Sequence, residues 1–321
     1  MIEKNSIKKA NIIFMGTPDF SVPALNALAA QENFNIRLVV TQPDRPKGRG
    51  KKLCFPPVKQ RALELGFDVF QPENLNTQEG FERLSALTPD YFVVVAFGQL
   101  LSQKILDIPK IYPINIHASL LPLYRGAAPI QAAVMNRDAV TGITTMVMAK
   151  GMDAGDILLT SSTPVFPEET AQEIHDRLSV MGGELIVKTI LENNLNNLCP
   201  IPQDHSKATY VPLLKKSDGK IDWNRSNLAV CAHINAMTPW PGAFTHLDGK
   251  LFKLFKAIPS DKETGLDPGR IYQCDGSGIR VATGKNTVVI LELMGSSGKR
   301  LSADTFLRGH KIDLPARFEP V

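Results

Sequence analysis

Short apolar runs alternate with helical patterns up to residue 191, and this alternation restricts the fold more than any other feature of the chain. Residues 11–15 form an apolar run that ends in a turn at Gly16, and apolar residues then recur at helical spacing from Ser21 to Ala30. Further strand-like runs lie at 36–41, 91–97, 111–116 and 143–149, and further helical patterns at 57–65, 80–87, 127–136 and 171–191. The alternation predicts a Rossmann-like α/β domain with a mostly parallel sheet.

A change of composition after residue 192 divides the chain. Residues 193–208 are rich in Asn and Pro and show no periodicity, which is typical of a linker. Short β-type runs follow, separated by Gly, Asp and Ser turns, at 249–257, 269–272, 278–283 and 287–293. We therefore predict an N-terminal α/β domain at 1–192, a linker at 193–208 and a small OB-like β-barrel domain at 209–321.

Length and composition favour a globular protein of two domains. The chain has 321 residues, of which 43% are hydrophobic, enough to bury two cores. No apolar run reaches the length of a transmembrane helix, and the apolar stretch 12–15 is shorter than a signal-peptide core. We expect a cytoplasmic protein with no membrane association. The four cysteines are scattered and form no cluster with histidines, which predicts reduced thiols and no metal site.

Charge is divided unevenly along the chain. From Thr209 onward there are 16 Lys and Arg residues against 11 Asp and Glu, a net charge of +5, whereas the preceding residues carry −1. A basic surface suits a polyanionic partner, but lysines that serve only solubility would give the same count.

Asn115 and His117 end an apolar strand-like run and form the most informative candidate site. Residues i and i+2 of a strand share a face, so an amide donor and a titratable imidazole converge. Asp153, on a glycine-punctuated loop, adds a carboxylate that orients the base, and together these groups suffice for acyl transfer without a metal. Each residue also has a purely structural explanation when taken alone. His117 could be a histidine whose hydrogen bonds are satisfied at a strand end, Asn115 a turn former, and Asp153 a loop carboxylate that caps a strand.

With these residues identified, the chain resembles the methionyl-tRNA formyltransferases over nearly its whole length. The resemblance rests on GTPDF at 16–20, TQPDRP at 41–46, NIHASLLP at 115–122, RGAAPIQ at 125–131, GMDAGD at 151–156, KIDW at 220–223 and PWP at 239–241. It implies a formyltransferase-type α/β domain that performs catalysis and a barrel domain that contacts tRNA. It also implies 10-formyltetrahydrofolate as co-substrate, initiator methionyl-tRNA as acceptor, and a monomer.

The resemblance also assigns roles to residues around the catalytic trio. Asn115 would stabilise the tetrahedral oxyanion, and His117 with Asp153 would move the proton. Ser119, Leu120, Leu121 and Pro122 would bind the folate, because their backbone groups are expected to be free where the chain leaves the sheet. Arg125 and Gly155 would support the site.

A cationic insertion follows the second strand-like run. It carries five positive charges, which are Arg45, Lys47, Arg49, Lys51 and Lys52. The resemblance implies that this flexible loop binds the acceptor stem of tRNA through its phosphates, whereas a solvated loop is the usual explanation of such a run.

Other functions fit parts of the sequence less well. Only one glycine of the GxGxxG motif is present at 16–20, so we expect no NAD. Formyl transfer to a sugar-nucleotide amine or to glycinamide ribonucleotide, and hydrolysis of the formyl donor, would use the same catalytic trio. A pure RNA-binding protein would leave that trio unexplained.

Overall fold

A computed structural model describes residues 9–47, 52–295 and 298–319. The chain forms two compact units. The first comprises the chain up to Gly126, together with Gly142–Ser162 and Asp176–Tyr210, and the second comprises Ala127–Thr141, Thr163–His175 and the chain from Val211 onward.

Eleven strands precede the barrel among the described residues. They are β1 (Ala10–Gly16), β2 (Phe34–Val40), β3 (Arg45–Lys47), β4 (Lys52–Cys54), β5 (Val69–Phe70), β6 (Tyr91–Val95), β7 (Tyr112–His117), β8 (Arg125–Gly126), β9 (Val140–Val147), β10 (Ile157–Pro164) and β11 (Tyr210–Val211). Seven of them form one sheet in the order β10-β9-β7-β6-β1-β2-β5. The pairs from β7 to β5 are parallel, and β9 runs antiparallel to β7.

The central strands are apolar on both faces, which is the pattern of a parallel sheet covered by helices. In β6 all five residues are buried, and in β1 the side chains of Ile12 and Ile13 are fully enclosed. The Rossmann-like α/β class predicted from the alternation is therefore confirmed. Because β1, β2, β6 and β7 are parallel, their carboxyl ends meet at one edge, where His117 is the last residue of β7.

Eight α-helices occur in the described part of the chain. They are α1 (Val22–Ala29), α2 (Pro57–Glu64), α3 (Gln78–Ser85), α4 (Gln103–Leu106), α5 (Pro129–Asn136), α6 (Ala171–Asn194), α7 (Asn227–Ala236) and α8 (Ala303–Gly309). Proline in the first turn begins α1, α2 and α5, a position at which its missing N–H costs nothing. Along α6 the apolar stripe predicted by the helical spacing is buried at Ile174, Leu178, Leu185 and Ile186 and partly buried at Met181.

The second unit contains an antiparallel, nearly closed barrel, as predicted. Its strands are β12 (Ala243–Leu247), β13 (Lys250–Ser260), β14 (Arg270–Asp275), β15 (Gly278–Ala282), β16 (Thr287–Met294), β17 (Leu301–Ser302) and β18 (Ala316–Arg317), in the order β12-β13-β16-β15-β14-β18 with β17 on β16. The Glu319 N–H donates to the main-chain oxygen of His246 in β12 at 2.8 Å, which nearly closes the ring. Trp223 is 2% exposed and stacks on Phe318, with ring centroids 5.4 Å apart.

The units differ from the predicted domains in two respects. Residues 127–141 and 163–175, predicted within the N-terminal domain, cluster with the second unit. The predicted linker 193–208 clusters with the first unit, whose last residue is Tyr210. Sequence periodicity reports local structure, whereas this division reflects contacts between distant segments, so the two need not coincide.

Candidate active site

Asn115 and His117 lie on β7, which pairs with β6 and β9. Asn115 is in register with Val94 of β6 and Met146 of β9, and His117 is in register with Thr144 of β9. Because side chains alternate across a strand, Asn115 and His117 project to the same side. His117 is 6% exposed and Asn115 is partly exposed, so an accessible amide lies beside an almost enclosed imidazole.

The two ring nitrogens of His117 have different neighbours. Nε2 lies 2.9 Å from the main-chain oxygen of Tyr124, and because a carbonyl only accepts hydrogen bonds, this nitrogen carries the hydrogen. Nδ1 lies 3.7 Å from Oδ2 of Asp153, close enough for an ion pair when the ring is protonated. Tyr124 thus fixes the orientation of the ring, and Nδ1 is the nitrogen left to gain or lose a proton.

Asp153 approaches His117 from the loop between β9 and β10. Its φ of +48° lies in the left-handed region, and its Oδ2 accepts a hydrogen bond of 2.8 Å from the Gly126 N–H. A Cβ at Gly155 would lie 1.7 Å from the main-chain oxygen of Val147, where no atom fits. The loop therefore passes so close to the end of β9 that only glycine is accommodated at 155.

The structure brings Asn115, His117 and Asp153 together at the carboxyl edge of the parallel strands. An amide N–H can donate to a developing oxyanion, and an imidazole beside a carboxylate can accept and deliver a proton. This arrangement suits attack of a neutral amine on an acyl carbon, which creates a negative oxygen and releases a proton. The catalytic roles of the three residues stay predictions.

Arg125 is 2% exposed and holds several groups at once. Its Nε and Nη2 donate to Oε1 of Gln203 at 3.2 and 2.6 Å. Its Nη1 donates to the Tyr210 hydroxyl at 3.2 Å, and its Nη2 donates to Nδ1 of His205 at 3.1 Å. The residues on either side of Arg125 carry the main-chain groups that hold the histidine ring and the carboxylate. This placement is compatible with the predicted supporting role, and the acceptor of the guanidinium fork is the carbonyl oxygen of a side-chain amide.

Ser119 and Leu121, two of the predicted folate-binding residues, have engaged backbone groups. The main-chain oxygen of Ser119 accepts a hydrogen bond of 2.7 Å from Oγ1 of Thr144, and that hydroxyl oxygen in turn accepts one of 3.1 Å from the Leu121 N–H. The Ser119 hydroxyl donates to the main-chain oxygen of Leu123 at 2.5 Å. These bonds close a turn directly after His117.

Leu120 and Pro122, the other two, also use backbone oxygens within the protein. These oxygens accept from the N–H groups of Leu123 and Thr209 at 3.1 and 3.3 Å. The expectation that the backbone of 119–122 is free is therefore wrong for these groups, because a turn at a sheet edge must satisfy its own buried polar atoms. That the segment contacts folate stays a prediction.

The predicted cationic loop is ordered where the structure describes it. Arg45 and Lys47 belong to β3 and Lys52 belongs to β4, and these two strands pair antiparallel. The prediction of a flexible loop is wrong for these flanks, because backbone hydrogen bonds between the flanks form a hairpin. Arg49 and Lys51 lie outside the described residues.

Arg45 keeps its charge available on this hairpin. It is exposed, and no carboxylate of the described residues forms an ion pair with it. The neighbouring acid, Asp44, instead accepts a hydrogen bond from Gln71 and pairs with Lys59 at 2.6 Å, which together hold the pKa of Asp44 below its usual range. The tRNA contact of Arg45 stays a prediction.

Sequence analysis missed three residues that hold the site in place. Tyr124 and Gly126 act through main-chain atoms, which every residue type supplies, so the sequence carries no signal for them. Gln203 lies in the segment predicted to be a linker, where the absence of periodicity hid its burial.

Three features of the described residues concern metal sites, membrane-spanning helices and disulfides. No three His, Cys, Asp or Glu side chains there are grouped so that they could hold a metal ion. No helix in that part of the chain has the length and apolar character needed to cross a bilayer. All four cysteines are free thiols.

Comparison with known proteins places both parts of the chain in one group. The family model described as formyl transferase matches residues 8–190, and the model described as formyl transferase, C-terminal domain, matches residues 213–311. The chain is 46% identical over 301 residues to the methionyl-tRNA formyltransferase of Citrifermentans bemidjiense, covering 94% of both proteins. It is 43% identical over 304 residues to that of Clostridium novyi, covering 94% of this chain and 98% of the relative.

Solved structures share the fold at much lower identity. An N-formyltransferase from Helicobacter canadensis, solved with folinic acid and dTDP-3-aminofucose, has a TM-score of 0.67 at 16% identity and covers 88% of this chain and 98% of its own. HypX from Aquifex aeolicus, solved with tetrahydrofolic acid, has a TM-score of 0.64 at 16% identity over 97% of this chain. The chain spans about half the length of HypX, with 51% covered.

Proposed function

The chain belongs to the methionyl-tRNA formyltransferase family, and on that premise we propose that it transfers the formyl group of 10-formyltetrahydrofolate to the free amino group of initiator methionyl-tRNA. The reaction forms a bond between the amino nitrogen and the formyl carbon. It breaks the bond between that carbon and N10 of the folate, and a proton passes from the amine to N10. The products are formylmethionyl-tRNA and tetrahydrofolate.

The observation that carries the proposal is the pairing of His117 with Asp153 on the same edge as Asn115. His117 Nδ1 lies 3.7 Å from Oδ2 of Asp153, and the ring is fixed by its other nitrogen. Attack of the amine gives a tetrahedral intermediate with a negative oxygen, to which the Asn115 amide donates. Nδ1 of His117 takes the amine proton, and the Asp153 carboxylate stabilises the resulting imidazolium until the proton reaches N10.

The folate donor is supported by the neighbours of this fold. Helicobacter canadensis N-formyltransferase was solved with folinic acid and Aquifex aeolicus HypX with tetrahydrofolic acid. In this chain the turn at 119–122 follows His117 directly, so a donor that contacts Ser119 to Pro122 presents its formyl carbon near the imidazole. Arg125 and Gly155 support that site by fixing the loop of Asp153.

The tRNA acceptor is supported by the relatives and by charge. The relatives at 43–46% identity are methionyl-tRNA formyltransferases over 94% of this chain. The hairpin with Arg45, Lys47 and Lys52, together with Arg49 and Lys51, provides cations for acceptor-stem phosphates. The barrel at 209–321 adds a net charge of +5 as a second tRNA contact. On the premise of the family, we expect a monomer that acts in the cytoplasm.

Labelled formyl transfer tests this proposal directly. We would supply 10-formyltetrahydrofolate labelled in the formyl group and offer initiator methionyl-tRNA, elongator methionyl-tRNA and an amino-sugar nucleotide in parallel. Selective labelling of the initiator is expected. Labelling of the sugar, or release of formate without transfer, would support the formyl donor but refute initiator methionyl-tRNA as the acceptor.

Two variants with a matched control connect the activity to the site. His117→Ala is expected to abolish turnover while folate binding persists, because the ring contributes proton transfer. Asn115→Ala is expected to lower kcat by about 100-fold, as removal of an oxyanion donor does. Asn35→Ala serves as the control, since Asn35 lies near the opposite end of β2 and bonds Asn11 there. Near-normal activity of His117→Ala would refute the proposed chemistry.

A further inference from the structure

Gln203 is a buried amide in the segment that follows α6. It is 5% exposed, although the residues around it, Pro202 and Asp204, are exposed. A buried amide needs partners for two N–H groups and for an oxygen with two lone pairs. The structure supplies them from two sides, and each side belongs to the proposed active site.

One side of the amide holds the loop of Asp153. Nε2 of Gln203 donates to the main-chain oxygen of Asp153 at 2.9 Å and to that of Gly155 at 2.6 Å. These oxygens flank Ala154, so one side chain fixes both ends of the turn that presents the carboxylate. The carboxylate belongs to Asp153, whose own main-chain oxygen is one of the two anchors, so a shift of the turn would move Oδ2 away from His117.

The other side of the amide sets its polarity. Oε1 of Gln203 accepts two hydrogen bonds from Arg125, at 3.2 and 2.6 Å. A guanidinium has donors only, so it selects the oxygen and leaves Nε2 to face the loop. If the amide were reversed, its NH₂ would meet the guanidinium and its oxygen would meet two carbonyls. Arg125 therefore determines which end of Gln203 reaches Asp153.

The backbone around Gln203 is anchored to the same unit. Ile201 and Ile157 exchange two main-chain hydrogen bonds of 2.8 Å each, beside the start of β10. Further on, Oγ1 of Thr209 accepts from the Tyr124 N–H at 2.8 Å. Hydrogen bonds thus hold the backbone on both sides of Gln203, which keeps its side-chain amide in place.

We propose that Gln203 is a positioning residue for the formyl transfer reaction, which couples the Arg125 guanidinium to the Asp153 loop and so holds the carboxylate against His117. The inference rests on the proposed function for its kinetic consequence. The structural consequence, which is the position of Asp153 relative to the Gly126 N–H, does not depend on the proposed function.

Gln203→Glu separates the two sides of the amide. The glutamate keeps an acceptor for Arg125 and gains a charge that pairs with it, so the fold is expected to persist. Its second oxygen faces the two carbonyls and repels them, which displaces the loop. Gln203→Met, of similar length, removes both links and serves if the first variant fails to fold. Gln31→Glu is the control, because Gln31 lies in the loop that leads into the amino end of β2.

The kinetic measurement is the separation of kcat from KM. We expect kcat of Gln203→Glu to fall by about 10- to 100-fold, as a misplacement of about 1 Å does, with both KM values within about twofold of wild type. Gln31→Glu is expected to keep the wild-type kcat. A kcat within about twofold of wild type in a folded Gln203 variant, or a change confined to KM, would overturn the proposal.

Hydrogen exchange decides the question without activity. In the wild type the Gly126 N–H donates to Oδ2 of Asp153 at 2.8 Å. We expect this amide to exchange about tenfold faster in Gln203→Glu, the effect of losing one net hydrogen bond. Unchanged exchange would overturn the proposal. If wild-type protein did not formylate methionyl-tRNA but the exchange accelerated, the proposed function would fail and the positioning role would stand.

Discussion

Asp153→Asn isolates the charge that faces His117. Asparagine tolerates the left-handed backbone at φ +48° better than most residues, so the turn is expected to persist. The amide oxygen of asparagine can still accept the 2.8 Å hydrogen bond from the Gly126 N–H. The substitution therefore removes the negative charge and retains the geometry.

The magnitude follows from the distance of 3.7 Å between His117 Nδ1 and Asp153 Oδ2. Two unit charges at that separation attract by about 4 kcal/mol at an effective dielectric constant of about 20, and by about 1 kcal/mol in water. The side chains are 7% and 18% exposed, which favours the larger value. About 3 kcal/mol of lost stabilisation of the imidazolium in the transition state corresponds to a fall in kcat of about 100-fold.

Steady-state transfer to initiator methionyl-tRNA measures this effect. We expect both KM values to stay near wild type and the melting temperature to fall by a few degrees, since one charge-assisted hydrogen bond becomes neutral. Asp156→Asn is the matched control, because Asp156 is exposed on the same loop. If kcat of Asp153→Asn stayed within about threefold of wild type, the reasoning from charge and distance would be refuted.

Three further perturbations test other parts of the structure. Gly155→Ala is expected to lower kcat by more than about tenfold and to destabilise the first unit, because its Cβ would lie 1.7 Å from the main-chain oxygen of Val147. Steady-state kinetics measures the first effect and thermal melting the second, and wild-type values of both would contradict the close approach. Arg45→Ala is expected to raise KM for tRNA and to reduce by about one the slope of the logarithm of the binding constant against the logarithm of salt concentration. Arg37→Ala, at another exposed arginine, is the control and is expected to change neither quantity. Burial raises the pKa of Tyr91 from 10.0 to about 12. The contribution of its protonated phenol to the free energy of unfolding is therefore complete below pH 10 and is lost as pH rises from about 10 to about 12. Spectrophotometric titration checks this, and ionisation of all five tyrosines near pH 10 would count against it.

The sequence contained the information for the fold class and for part of the site. A strand covered on both faces, such as β1, is a short continuous apolar run, and the buried residues of a helix such as α6 recur with period 3.6, so both were predictable from local pattern. The two predicted architectures, the mostly parallel sheet and the β-barrel, are confirmed. Asn115 and His117 were predictable for the same reason, since two residues on one strand share a face whatever the rest of the chain does.

Only the tertiary structure decided how these residues are held. The Gly126 N–H binds a carboxylate 27 residues away, and Arg125 binds an amide 78 residues away. Such contacts depend on where whole segments meet, and no local period encodes them. A segment without periodicity was therefore predicted as a linker, although it carries Gln203, because burial of a polar side chain in an irregular segment leaves no repeating pattern in the sequence.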